Sequence, residues 1–191
     1  EGVDALAIGP GLSTDEETVG FIRELVRACP VPFVLDADGL NAFAGRADDL
    51  ADRKADAVLT PHAGEFTRLS GATARELAED RLRHVRALAA TTGAVILLKG
   101  SRTLIVTPDG KVRVNPTGGP VLATAGSGDV LTGVIGGLVA RGLGPADAAF
   151  AGAYVHGLAG ILAGRSFGEG TLAFDIAAHL PEAVNRVREE A

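Results

Sequence analysis

The chain has 191 residues, 47% of them hydrophobic and 22% charged, with 26 glycines and a net charge of −6. That length and apolar content suit one α/β domain with a sizeable core and exclude a disordered chain. The acidic balance, 24 Asp and Glu against 18 Lys and Arg, lacks the basic footprint of a nucleic-acid binder. Cys29 is the sole cysteine, so no internal disulfide is possible and a cytoplasmic setting is expected. No charged-then-apolar leader opens the sequence. There is no methionine, not even at position 1, and residues 4–9 already read as a buried strand. We therefore expect a chain whose beginning is missing.

Apolar runs at Leu6–Ile8, Pro32–Leu35, Ala57–Leu59 and Val95–Leu98 predict four short strands. Between the first two, Ser13 lies three residues before Glu16, a capping-box spacing that predicts a helix over Thr14–Cys29. Phe21, Ile22, Leu25 and Val26 fall on one face of it. Thr73 and Glu76 repeat the device and open a helix to about Thr91. Thr103–Thr107 and Lys111–Asn115, joined by Pro108-Asp109-Gly110, predict a hairpin. Helices follow at about Gly128–Arg141, Pro145–Gly164 and Phe174–Arg188. Pro145–Gly164 carries Asp147 and His156 among its Ala and Gly residues, so it reads as a buried helix rather than a membrane span. Strands alternating with amphipathic helices imply a mainly parallel central sheet covered by helices on both faces, in a single domain.

Every cluster of chemical interest follows a strand, where open α/β sheets place their ligands. Thr124-Ala125-Gly126-Ser127-Gly128-Asp129 stands just before a helix. Its glycines let backbone amides converge, and the helix start adds unpaired N–H groups and a positive dipole end, which suits a phosphate. Asp129 would repel that phosphate if binding were the whole purpose. It suits a base that takes a proton from an attacking hydroxyl, or a carboxylate that complements the helix dipole. No Gly-x4-Gly-Lys-Ser/Thr occurs, which excludes a P-loop. Gly9-Pro10-Gly11 with Asp36 matches a dinucleotide fingerprint weakly, because Thr14 replaces the third glycine.

Lys99, one of three lysines, ends the fourth strand, where it can meet a ligand or simply precede a turn. His62, within Pro-His-Ala-Gly-Glu, can contact a ligand or cap the next helix. Asp36 and Asp38 can hold a metal through water or cap the Gly39–Ala44 turn, with capping favoured for at least one. His156 reads as a core histidine.

In this order, AIGPGL (7–12), LDADGLN (35–41), LTPHAGEFTRL (59–69), LLKGSRTLI (97–105) and NPTGGPVLATAGSGDVLTGVIGGLVARG (115–142) resemble the NAD(P)HX dehydratase family of the ribokinase-like superfamily. The resemblance implies a ribokinase-like α/β fold over residues 1–191, with its N-terminal part missing. It implies an enzyme that repairs hydrated NADH and NADPH (NADHX, NADPHX) by phosphorylating the ring hydroxyl, with ADP or ATP as donor and Mg²⁺ as cofactor. Asp129 would be the base and touch the substrate, alongside Gly11 and His62. The amides of Ala125, Gly126, Ser127 and Gly128 would form the anion hole. Lys99, Gly100, Ser101, Arg102, Thr103 and Gly128 would line the nucleotide, and Glu65 would reach the metal through water. A homo-oligomer with no membrane or nucleic-acid partner is also implied. The approach Gly119-Pro120-Val121-Leu122-Ala123-Thr124 departs from the family's Asn-Pro-Gly-Met-Ala-Thr. The alternatives are another ribokinase-like kinase, such as a hydroxyethylthiazole or sugar kinase, and a nucleotide-binding module without catalysis.

Overall fold

Strand side chains alternate between the two sheet faces, so a run of three apolar residues feeds two cores at once. Phe33 and Leu35 point into one core and Val34 into the other; Leu59 and Val58 divide in the same way, as do Ile96 and Leu97. The structure, a computed structural model, describes residues 2–189. Its sheet has six strands in sequence order: β1 (Leu6–Ile8), β2 (Phe33–Leu35), β3 (Ala57–Leu59), β4 (Val95–Leu98), β5 (Leu104–Val106) and β6 (Val112–Val114). The first four are mutually parallel, while β4, β5 and β6 form an antiparallel meander. Gly110, at φ 81°, closes the expected β5–β6 turn.

Because the parallel strands follow in order, right-handed crossovers bring their helices onto one face. That face carries α1 (Glu16–Ala28), α2 (Ala37–Asn41), α3 (Ala63–Ser70), α4 (Ala74–Glu79) and α5 (Arg81–Thr92). Ile22, Val26, Phe66, Leu69, Val85 and Leu88 from these helices pack with Phe33, Leu35 and Leu59. The other face is covered separately by α6 (Ser127–Ala140) and α7 (Pro145–Phe167). α8 (Ala173–Glu189) packs on α7 through Ile176 and Ala183 against Ala159, Leu162 and Ala163. Both faces are thus covered as expected, without any reversal of strand order. With the turn to Gly170, α7 is long and apolar enough to cross a bilayer by length and composition. In the fold, its Ala148, Ala149, Ala153 and Ala159 are buried in protein.

Several local expectations change. Ser13 does not cap α1: it adopts φ 80°, and its hydroxyl bonds to the Asp15 carboxylate and amide instead of reaching the helix. Phe21 is 59% exposed, so Ile22 and Val26 anchor α1. Thr73 and Glu76 do form their capping box, but the helix breaks at Asp80, whose carboxylate caps a new helix at the Arg83 amide. Two short helices therefore replace one long one.

Arg53 closes the far end of α5. Its guanidinium donates to the Leu50 carbonyl at 2.6 Å, to the Thr92 carbonyl and to the Gly93 carbonyl at 2.5 Å. A cation here satisfies orphan carbonyls and complements the negative end of the helix. Arg53→Ala should lower unfolding stability by about 1–3 kcal/mol, read from the urea midpoint. An unchanged midpoint would contradict this role.

Candidate active site

The site is built where β1 to β4 end and α6 begins. At the end of β1, Gly9 has φ 134°, and a Cβ there would stand 1.7 Å from the Asp36 carbonyl oxygen. Only glycine allows this approach, which also lets the Asp36 amide donate to the Ile8 carbonyl at 3.0 Å. Gly11, at φ 72°, is exposed in the turn beyond. Ala37, at φ 47°, carries a left-handed backbone next to Asp36, a conformation non-glycine residues adopt at a cost of about 1–3 kcal/mol.

Asp36 is 1% exposed. Its Oδ1 receives a hydrogen bond from Lys99 Nζ at 2.7 Å, and its Oδ2 one from Thr132 Oγ1 at 2.9 Å. Lys99 also lies 3.6 Å from Glu65 Oε2. One polar cluster thus ties the ends of β2 and β4 to α3 and to α6. Neither carboxylate caps the turn, against the expectation that at least one of the two aspartates would. Asp36 occupies the α2 cap position without a side-chain cap bond, while Asp38 accepts from the Ser13 amide at 3.0 Å and from Asn41 Nδ2 at 3.4 Å.

His62 does cap α3. Its Nδ1 accepts from the Gly64 and Glu65 amides at 2.9 and 3.3 Å, while Glu65 Oε2 accepts from the His62 amide at 2.7 Å. Because Nδ1 is an acceptor, the ring proton sits on the exposed Nε2 side, 3.4 Å from Glu65 Oε1. Glu65 is buried and both of its oxygens are engaged. Among the described residues no group of three or more His, Cys, Asp or Glu could hold a metal ion.

Gly126 has φ 82° and turns the chain into α6. Among the described residues, the amides of Ala125, Gly126, Gly128 and Asp129 have no protein acceptor, whereas the Ser127 amide donates to the Thr124 carbonyl at 3.2 Å. Three of the four expected anion-hole amides are therefore free, and the Asp129 amide joins them. A Cβ on Gly128 would lie 3.4 Å from Lys99 Nζ and 3.5 Å from Asp36 Oδ2, so the Lys99–Asp36 ion pair sits directly behind the loop. Asp129 itself is exposed.

A cavity of about 500 Å³ opens on one side of this loop. Residues 99–103 form one wall and residues 115–120 another, with Ser127, Gly128 and His156 at its base. It collects the residues expected along the nucleotide: Lys99, Gly100, Ser101, Arg102, Thr103 and Gly128. Gly11, His62, Glu65 and Asp129 do not line it. Asp129 stands about 200° round the helix from Ser127, so its side chain projects away from the cavity that Ser127 lines.

The 115–122 wall lies directly on α7. Asn115 Nδ2 donates to the Ala153 carbonyl at 3.1 Å and Thr117 Oγ1 to the Tyr154 carbonyl at 2.8 Å. A Cβ on Gly157 would come within 2.2 Å of Thr117 Oγ1, and one on Gly160 within 2.4 Å of Leu122. The unusual approach segment is thus seated by glycines on the neighbouring helix.

With this geometry in place, comparison with known proteins decides the family. The profile described as NAD(P)H-hydrate dehydratase matches residues 1–182. The chain belongs to the NAD(P)H-hydrate dehydratase family. The chain is 51% identical over 189 residues to the bifunctional NAD(P)H-hydrate repair enzyme Nnr of Moorella thermoacetica, covering 98% of this chain and 36% of that protein. Against the ADP-dependent (S)-NAD(P)H-hydrate dehydratase of Neisseria meningitidis it is 42% identical, over 92% of this chain and 61% of that one. The ADP/ATP-dependent NAD(P)H-hydrate dehydratase of Bacillus subtilis, co-crystallised with ATP/Mg²⁺, superposes with a TM-score of 0.86 at 37% identity, covering 97% of this chain and 65% of that one. The chain therefore spans about a third of the length of the Moorella relative. The family's ribokinase-like sheet is the one described above.

Sequence reading missed Thr132 and the function of Asp36. They lie 96 and 63 residues from their partners Asp36 and Lys99, and no local spacing reports such pairings. An acid and a lysine each ending an apolar strand were the available signal.

Two outcomes test this dehydratase-family site. Lys99→Met strands a buried carboxylate and should destabilise the protein by about 3–5 kcal/mol, whereas adding Asp36→Leu should restore much of that loss. A denaturation cycle in which the two effects simply add would contradict the pairing. Burial pushes the His156 ring down from 6.5 to about 4, with the Lys99 charge contributing. Well above pH 6.5 the ring is neutral in both states. As pH falls from 6.5 toward about 4, the unfolded chain takes up a proton that the folded ring refuses, removing up to about 3 kcal/mol. His156→Gln should lack this component of the urea midpoint's pH dependence, and an identical slope in the variant would contradict it.

Proposed function

We propose that this protein restores NADH and NADPH from their hydrated forms by an ADP-dependent phosphoryl transfer followed by elimination. The observation that carries the reading is the start of α6, with its free amides between a nucleotide-sized cavity and an exposed Asp129. Hydroxide is a very poor leaving group, so loss of water from the hydrated ring needs its oxygen converted to a better one.

Asp129 accepts the proton of the ring hydroxyl as that oxygen bonds to the terminal phosphorus of ADP and the bond to AMP breaks. The amides of Ala125, Gly126 and Gly128 hold the phosphoryl oxygens as charge shifts among them, and the Lys99–Asp36 pair behind the loop fixes where those amides point. The carbon–oxygen bond then breaks, with the ring nitrogen's lone pair helping to expel phosphate. Loss of a proton from the adjacent ring carbon restores the double bond, giving NAD(P)H, AMP and phosphate. Gly11 and His62 contact the hydrated nicotinamide side, and Lys99, Gly100, Ser101, Arg102, Thr103 and Gly128 line the nucleotide.

A divalent cation does not fit as a protein-caged centre here, because Glu65 already engages His62 and Lys99. Mg²⁺ would enter with the donor's phosphates and neutralise part of their charge, and Glu65 would reach it only through water. The reading includes a single domain over residues 1–191, a cytoplasmic setting and a homo-oligomeric assembly. Cys29 is buried and free, and so places no oxidising demand on that setting.

Supplying hydrated NADH with ADP to the full-length protein should regenerate reduced-nicotinamide absorbance and release phosphate. A stable phosphorylated product from a thiazole alcohol, with no reaction on hydrated NADH, would instead identify a small-molecule kinase. Asp129→Asn should lower turnover by at least about a hundredfold while ADP binding, measured by calorimetry, stays within about twofold. Retained turnover would remove Asp129 from the role of base.

A further inference from the structure

His156 is 5% exposed in the middle of α7, yet its ring lines the cavity. Burial keeps it neutral near pH 7, so it carries one N–H and one lone pair. Its Nε2 lies 3.3 Å from Ser127 Oγ, and Ser127 is itself 4% exposed and lines the same cavity. A histidine–serine pair that is almost wholly buried yet borders a cavity can present its remaining hydrogen-bonding capacity to the cavity's occupant.

The tautomer follows from what that cavity takes. Lys99 stands in its wall and the free amides of α6 begin at its base, so the occupant's anionic end meets donors. With the ring proton on Nδ1, the serine hydroxyl turns back to Nε2 and presents only lone pairs. With the ring proton on Nε2, the imidazole donates to Ser127 Oγ and leaves the serine proton for the occupant.

We propose that His156 and Ser127 form a donor relay for a phosphate of the bound nucleotide, with Nε2–H held on Oγ and the Oγ–H directed to a phosphate oxygen. The relay rests on reading this cavity as the nucleotide site. Ser127 is the binding residue and His156 a positioning residue, acting through the hydroxyl it orients. The relay adds a side-chain donor to a loop whose Ser127 amide is already committed to Thr124.

Calorimetric titration of the full-length protein with ADP and, separately, with adenosine tests it. Ser127→Ala should weaken ADP about tenfold, the effect of one hydrogen bond to a charged group, and leave adenosine unchanged. His156→Asn, whose amide is too short to reach Ser127, should show the same ADP-specific loss. His156→Gln places its amide nitrogen near the Nε2 position and should retain ADP affinity. The Ser127→Ala, His156→Asn double variant should bind ADP no worse than either single variant. Unchanged ADP affinity in Ser127→Ala would overturn the relay, as would equal losses for ADP and adenosine in His156→Asn. Binding needs no turnover. Relay-dependent ADP affinity without conversion of hydrated NADH would therefore sink the catalytic reading alone, and turnover with relay-independent affinity would sink the relay alone. No ADP binding by the unaltered protein would overturn both.

Discussion

The ammonium of Lys99 is held 2.7 Å from a carboxylate that is almost wholly removed from water, and the site's geometry depends on that contact. Asp36 ends β2, Lys99 ends β4 and Thr132 sits one turn into α6, so a single carboxylate ties two strands of the sheet to a helix on one of its faces. Buried ion pairs contribute little net stability when compared with apolar replacements. What this pair provides is position. It sets the start of α6 over the strand ends, directly in front of the paired charges.

Glycine contributes the second constraint, through close approach rather than flexibility. Gly9 lets the β1 end lie on the backbone of Asp36, and Gly128 lets the helix start lie on the ion pair. Gly157 and Gly160 seat the strap of residues 115–122 that walls the cavity. At Gly9, Gly157 and Gly160 a methyl group would fall where a neighbouring atom already stands, whereas at Gly128 it would meet the ion pair at ordinary contact distance.

Much of this was legible beforehand. The four parallel strands, the β5–β6 hairpin and the three C-terminal helices follow from apolar run length and turn chemistry, which are local properties. The Gly126–Asp129 loop was equally legible, because a helix start and two glycines define its chemistry within a few residues. Ser13 misled, since a capping spacing says nothing about the backbone angle that turned its hydroxyl toward Asp15. The Thr73 helix was drawn too long because Asp80 fits a helix interior by pattern yet caps better. Asp36, Lys99 and Thr132 could not be paired from spacing at all, since only sheet order brings residues 63 and 96 positions apart into contact. His156 was correctly read as buried, but its contact with Ser127 depends on how α7 crosses α6.

The central claim is that the hydroxyl oxygen of the hydrated ring leaves as part of phosphate, having been phosphorylated at the start of α6. Labelling that hydroxyl with oxygen-18 and following the label through one turnover with ADP tests it directly. The account predicts that the label appears in the released inorganic phosphate. Label released into water, with unlabelled phosphate, would show that the ring loses its hydroxyl without phosphoryl transfer and would contradict the account.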